Sequence, residues 1–149
     1  MAEYGYAAQQ TVVGGGNVLL QDIIGCSKGY VVHRSGSGIL TLRGIVNNPC
    51  QRFARYKLAF NGNIAVPEGG TAGPISVAIA IAGEPLATSQ AIVTPTVAEA
   101  YFNVTSVAII DVPAGCCVNV AIENTSTDTA GTPVSVNVQN ANLTVDRIA

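Results

Sequence analysis

Apolar side chains alternate one by one with small or polar ones along nearly the whole chain. Tyr56, Leu58 and Phe60 alternate with Lys57, Ala59 and Asn61. Ile75, Val77, Ile79 and Ile81 alternate with Ser76, Ala78, Ala80 and Ala82. Val118, Val120 and Ile122 do the same against Asn119, Ala121 and Glu123, as do Val134, Val136 and Val138 against Ser135, Asn137 and Gln139. In a strand, successive side chains point to opposite faces, so each run carries one core face and one other face. No segment shows a capped 3.6-residue period. The nearest, Thr96 to Tyr101, is too short to hold a helix by itself.

Turn residues punctuate these runs at short intervals. Gly14-Gly15-Gly16-Asn17, Ser35-Gly36-Ser37-Gly38, Asn47-Asn48-Pro49, Glu68-Gly69-Gly70, Gly83-Glu84-Pro85, Pro113-Ala114-Gly115 and Gly131-Thr132-Pro133 all interrupt pleated backbone. About ten strands at this spacing imply an all-β sandwich or barrel. The polar stretch 124–133 reads as an exposed loop, and 149 residues fit one domain.

Only 11% of the residues are charged, seven basic and nine acidic. An average soluble domain of this length would carry about 37. With mean hydropathy at +0.39, identical neighbours are expected to cover a large share of the surface. The small face Ser76, Ala78, Ala80 and Ala82 is the expected subunit interface, because small residues let another layer approach closely. Packing against a loop of the same chain is the alternative. The net charge of −2 gives no footprint for nucleic acid. No run reaches the roughly 18 apolar residues of a membrane helix. The start, Met1-Ala2-Glu3-Tyr4-Gly5-Tyr6, lacks the basic and apolar regions of a secretory signal. The expectation is therefore cytoplasmic synthesis, with cysteines as thiols.

The chemistry of catalysis is sparse. One histidine, His33, follows the apolar run Tyr30-Val31-Val32. Asp22, Asp111 and Asp146 are scattered acids, Ser35 and Ser37 nearby hydroxyls, and none sits in a nucleophile elbow. His33 is expected to be a structural, hydrogen-bonded side chain. Cys116-Cys117 is a vicinal pair that a strand would split between two faces, so it cannot readily chelate one metal ion. A Cys26–Cys50 bridge is conceivable from their positions near turns. The glycine clusters precede no Lys-Ser/Thr helix and are turns rather than phosphate loops. The one basic run, Arg52, Arg55 and Lys57, reads as a solvated strand edge. No enzyme activity, cofactor or metal is expected.

Three segments carry a resemblance. They are Gln10-Thr11-Val12-Val13 followed by Gly-Gly-Gly-Asn-Val-Leu-Leu, the middle Tyr-Lys-Leu-Ala-Phe-Asn-Gly-Asn-Ile-Ala-Val, and the closing Ala141-Asn142-Leu143-Thr144-Val145-Asp146-Arg147-Ile148. Their order resembles a tumour necrosis factor-like jelly roll. More narrowly, it is similar to the globular heads of collagen-like spore-surface proteins and to small proteins encoded near phage capsid genes. The resemblance implies a jelly-roll β-sandwich whose protomers pack as a homotrimer and bind partners. The chain has no Gly-X-Y stem. The reading is therefore a phage head decoration protein on the capsid exterior, made in the host cytoplasm. Its partners would be other copies of itself, the major capsid protein and host-surface glycans, with no nucleic acid and no membrane. A bacterial surface or spore-coat head is the alternative.

Within that reading, residues 1–13 form an N-terminal arm and residues 14–149 the jelly-roll domain. Tyr4 and Tyr6 on the arm are the expected anchors for docking onto the particle, since tyrosine pairs an apolar body with a polar tip.

Overall fold

The computed structural model describes residues 2–24, 29–33, 36–45, 49–115 and 117–149. Short strands come first: β1 (Ala2–Tyr6), β2 (Gln10–Val12), β3 (Asp22–Ile24), β4 (Val31–His33) and β5 (Leu40–Arg43). Longer ones follow: β6 (Phe53–Ala65), β7 (Ile75–Ile81), the brief β8 (Glu84–Pro85) and β9 (Ala91–Val93), then β10 (Phe102–Pro113), β11 (Cys117–Asn124) and β12 (Val136–Arg147). A 3-10 turn at Ala87–Ser89 separates β8 from β9. Segment 96–101, the nearest thing to a helix in the sequence, is bend and turn over 96–99 and irregular at 100–101.

The strands form two antiparallel sheets. The first runs β10-β6-β12-β1-β3, with β2 also paired to β12. The second runs β4-β5-β11-β7-β8, with β9 also paired to β7. From β5 onward the chain crosses between sheets with each long strand, giving the expected jelly-roll sandwich. The count is twelve strands among the described residues, slightly above the expected ten, because β8 and β9 are too short to leave a period-two pattern.

Burial follows the alternation closely. Along β6, Ala54, Tyr56, Leu58, Phe60 and Ile64 are fully buried, while Phe53, Lys57 and Asn61 are exposed. Leu40, Leu42, Val77, Ile79 and Ile122 answer them from the second sheet, in one continuous core. Each such Leu, Ile or Phe contributes roughly 1.5–3 kcal/mol of burial.

Polar bolts fix the two sheets at defined points. The Tyr56 hydroxyl in the first sheet donates to the Arg43 carbonyl in the second. At the opposite end, the Asn124 amide donates to the carbonyls of Val12 and Val134, at 3.0 and 2.8 Å. Along one side, the Ser106 hydroxyl on β10 donates to the Ser89 carbonyl in the 3-10 turn. The β7–β8 hairpin turns on Ala82 and Gly83, with φ of 52° and 86°. Positive φ at both central residues is the signature of the tight turn that matches strand twist.

The N-terminal arm is corrected by this topology. Residues 2–6 are not a free arm but strand β1, held between β12 and β3. Gln10–Val12 pairs with β12 as well. The reason is the local alternation: Ala2 and Tyr4 face the core, opposite Val145 and Leu143. Tyr4 is only 2% exposed, and Tyr6, opposite Ala141, is half-buried. Tyr4 therefore has no surface to offer a particle.

Candidate binding surfaces

The outward face of the first sheet is a flat field of small and amide side chains. Asn103 donates to Asn61 and Asn63, at 2.9 and 3.2 Å, and Thr105 donates to Asn61 at 3.2 Å. A bulge in β12 between Gln139 and Asn142, with Asn140 at φ 54°, sets Asn142 beside Asn61 and lets it donate to Glu3. Further along the same face, Ala59 lies between Val107 on one side and Thr144 on the other.

One group of exposed apolar side chains lies at the side of the sandwich where β9 and β10 meet. Val107 and Ile109, on the outward face of edge strand β10, are 49% and 58% exposed. Ile92 on β9 is 62% exposed and Val97 in the following loop 60%, with Phe102 also exposed. The signal for the β10 pair is present in the sequence: Val107, Ala108, Ile109 and Ile110 are apolar in both phases of the alternation. A strand with one solvated face does not need that pattern.

The face Ser76, Ala78, Ala80 and Ala82 does not provide the interface expected of it. Ala78 is 1% exposed and Ala80 and Ser76 are also buried within the single chain. Ser76 is bonded to Thr125 and Gln90, and its main chain to Ser126, which is the intrachain packing that stood as the alternative. Ala82 leaves the strand for the hairpin turn, so it does not share the face.

The two ends of the sandwich differ in charge. Arg43, Arg52, Arg55, Lys57 and Arg147 gather where β5 and β12 finish and β6 begins. Two carboxylates accompany them. Asp111 receives Arg55 at 2.7 and 3.0 Å, the one ion pair among the described residues. These hydrogen bonds hold the Asp111 carboxyl below its usual range. Asp146 sits opposite Lys57 in the pairing. Guanidinium groups also cover the exposed aromatics here, Arg55 lying 5.3 Å from the Phe53 ring centre and Arg147 4.4 Å from that of Tyr30.

The opposite end carries Glu68, Glu99 and Asp128, and no basic side chain among the described residues. There the β6–β7 and β11–β12 loops border a cleft of about 780 Å³. Its lining includes Glu68, Thr71, Thr127, Asp128 and Thr129. One Asp128 oxygen accepts from the backbone of Ala130 and Thr132 and so shapes the rim.

His33 packs its ring against Tyr4, centroids 4.8 Å apart, and its Nε2 lies 2.8 Å from the Ser37 carbonyl. The Ser37 hydroxyl accepts from the Ile39 backbone and is not held by the imidazole. Cys26 and Cys116 lie outside the described residues, as do Arg34, Ser35 and the Asn47-Asn48 part of one turn. Cys50 and Cys117 are both exposed. Among the described residues no three His, Cys, Asp or Glu side chains gather as metal ligands would.

No family profile matches the chain, and no curated protein matches it significantly. Its fold is nevertheless that of solved structures. The globular domain of the zebrafish complement 1qA protein superposes with a TM-score of 0.59 at 11% identity, covering 96% of this chain and 94% of that one. Murine APRIL superposes with a TM-score of 0.51 at 13% identity, covering 93% and 96%. The chain thus has the jelly-roll fold of complement 1q and tumour necrosis factor-like globular heads.

Proposed function

We propose that this chain is a non-enzymatic binding head that assembles as a homotrimer and decorates the exterior of a bacteriophage capsid. The observation that supports the assembly is the presence of two distinct surfaces on one protomer. One is the exposed apolar stripe of Ile92, Val97, Val107 and Ile109 at the β9–β10 side. The other is the flat Ala59, Asn61 and Thr144 face of the first sheet. Placing the stripe of each protomer on the face of the next removes apolar surface from water, and a three-fold rotation between neighbours closes the ring. The low charge content of the whole chain supports the same arrangement.

The capsid role rests on the sequence resemblance. With β1 built into the sheet, docking falls to the head rather than to an arm. The basic end around Arg52 is the accessible candidate for contact with the major capsid protein. Mass spectrometry and imaging of purified particles from the source test this. The chain is expected in the virion, on its outside and in a fixed ratio to the major capsid protein. Particles without it contradict the capsid role.

A further inference from the structure

We propose that the two ends of this domain are complementary to each other, and that copies stack end to end. The Arg52-bearing corner of one copy seats in the acidic cleft of the next. This goes beyond the capsid reading, in which the same corner of the copy nearest the shell faces the capsid, and it depends neither on that reading nor on the number of copies in one particle.

Charge placement carries the inference. Five of the seven basic side chains lie at one end, against Asp111 and Asp146. The other end holds Glu68, Glu99 and Asp128 with no basic partner among the described residues. Strand β6 runs 13 residues between the two ends, a span of roughly 43 Å at the rise of a strand. That is several Debye lengths at physiological salt, so within one molecule the ends barely neutralise each other. Each is left to find its counter-charge outside.

Shape agrees with charge. The corner before β6 projects Arg52 and Phe53, both exposed, from a turn at Pro49–Cys50. The Ala114 amide bonds the Arg52 carbonyl and fixes this corner to the β10–β11 turn. At the far end, the cleft between the β6–β7 and β11–β12 loops has a volume of about 780 Å³. That lies within the range of about 300–1,000 Å³ that accepts a ligand-sized group. Its lining includes the carboxylates of Glu68 and Asp128 beside Thr71, Thr127 and Thr129, and the two carboxylates suit a guanidinium donor. Arg43, exposed beside the same corner, adds a second cation. The two surfaces lie at opposite ends of the domain, so this heterologous contact repeats along one axis and builds rods.

The test is solution mass as a function of salt, by light scattering and small-angle X-ray scattering on the full chain. The net charge of −2 makes general repulsion grow as salt falls, so association at low salt requires a directed contact. The wild type is expected to form rods at about 10 mM salt and to return to the unit particle at about 1 M, where the Debye length is roughly 3 Å. Two double variants, Arg43→Glu with Arg52→Glu and Glu68→Lys with Thr129→Lys, each leave the core and the Asp128 turn intact. Each alone is expected to stay at the unit particle at low salt. A mixture of the two is expected to form rods again, since swapped ends match swapped ends. A wild type whose mass does not change with salt, or variants that associate alone as the wild type does, would overturn the inference. Loss of the unit particle itself at high salt would count against the homotrimer instead.

Discussion

The hydroxyl of Tyr56, whose ring is buried in the first sheet, donates a hydrogen bond to the main-chain oxygen of Arg43 at the end of β5 in the second. The same hydroxyl lies 3.3 Å from the Tyr30 carbonyl. One side chain thereby ties together the two layers at the end where the basic residues gather. Burial raises the Tyr56 phenol above its ordinary value, so the group stays a donor across the physiological range.

Replacing Tyr56 with Phe keeps the apolar ring and removes the bolt. The Arg43 carbonyl then loses its partner inside the structure. A loss of about 1–3 kcal/mol is expected, read as a lower urea midpoint with an unchanged slope. An unchanged midpoint would mean that the hydroxyl contributes nothing.

Tyr4 separates the strand from the arm. Its side chain is buried opposite Leu143 and packs at a tilt against His33, which links β1 to β4 of the other sheet. Tyr4→Ala is expected to cost about 3–5 kcal/mol in thermal or urea unfolding, as for other buried aromatics. Deletion of residues 2–9 is expected to expose the β12 edge and cause aggregation or unfolding. A truncated protein with wild-type stability would restore the arm.

Legibility in the sequence followed the periodicity. The core positions of β6, β7 and β11 could be named because each has one apolar phase, and Tyr56, Leu58, Val77, Ile79 and Ile122 are where that phase places them. Residues 2–6 read as an arm because Ala, Tyr and Gly in five residues leave too short a pattern to distinguish a strand. Only long-range pairing with β12 decides it. The small residues of β7 misled for a related reason. Smallness signals close approach, and it does not say whether the approaching group belongs to the same chain.

The stretch 124–133 divides in the same way. Residues 127–133 are exposed, as their polarity suggests, but Asn124 and Ser126 are buried. The Asn124 side chain accepts from the Ser126 amide, and the Ser126 hydroxyl accepts from the Ser76 amide and donates to the Ser76 carbonyl. Two polar residues in a polar run thus complete the hydrogen bonding at the ends of β2 and β7. Asn124→Ala leaves the Val12 and Val134 carbonyls without their donor. It is expected to lose more stability than Thr129→Ala, by about 1–3 kcal/mol in parallel unfolding curves. Equal losses would mean that the loop is held by something else.

The homotrimer is tested most directly by the solution mass of the purified protein at high salt, where charge contacts between particles are screened. The expected mass is three times the 15.2 kDa of the chain. Val107→Lys combined with Ile109→Lys places two charges in the proposed contact without touching the core. That variant is expected to run at the mass of one chain while keeping a β-sheet circular dichroism spectrum. A wild type that is monomeric at micromolar concentration, or a folded double variant that is still trimeric, contradicts the account.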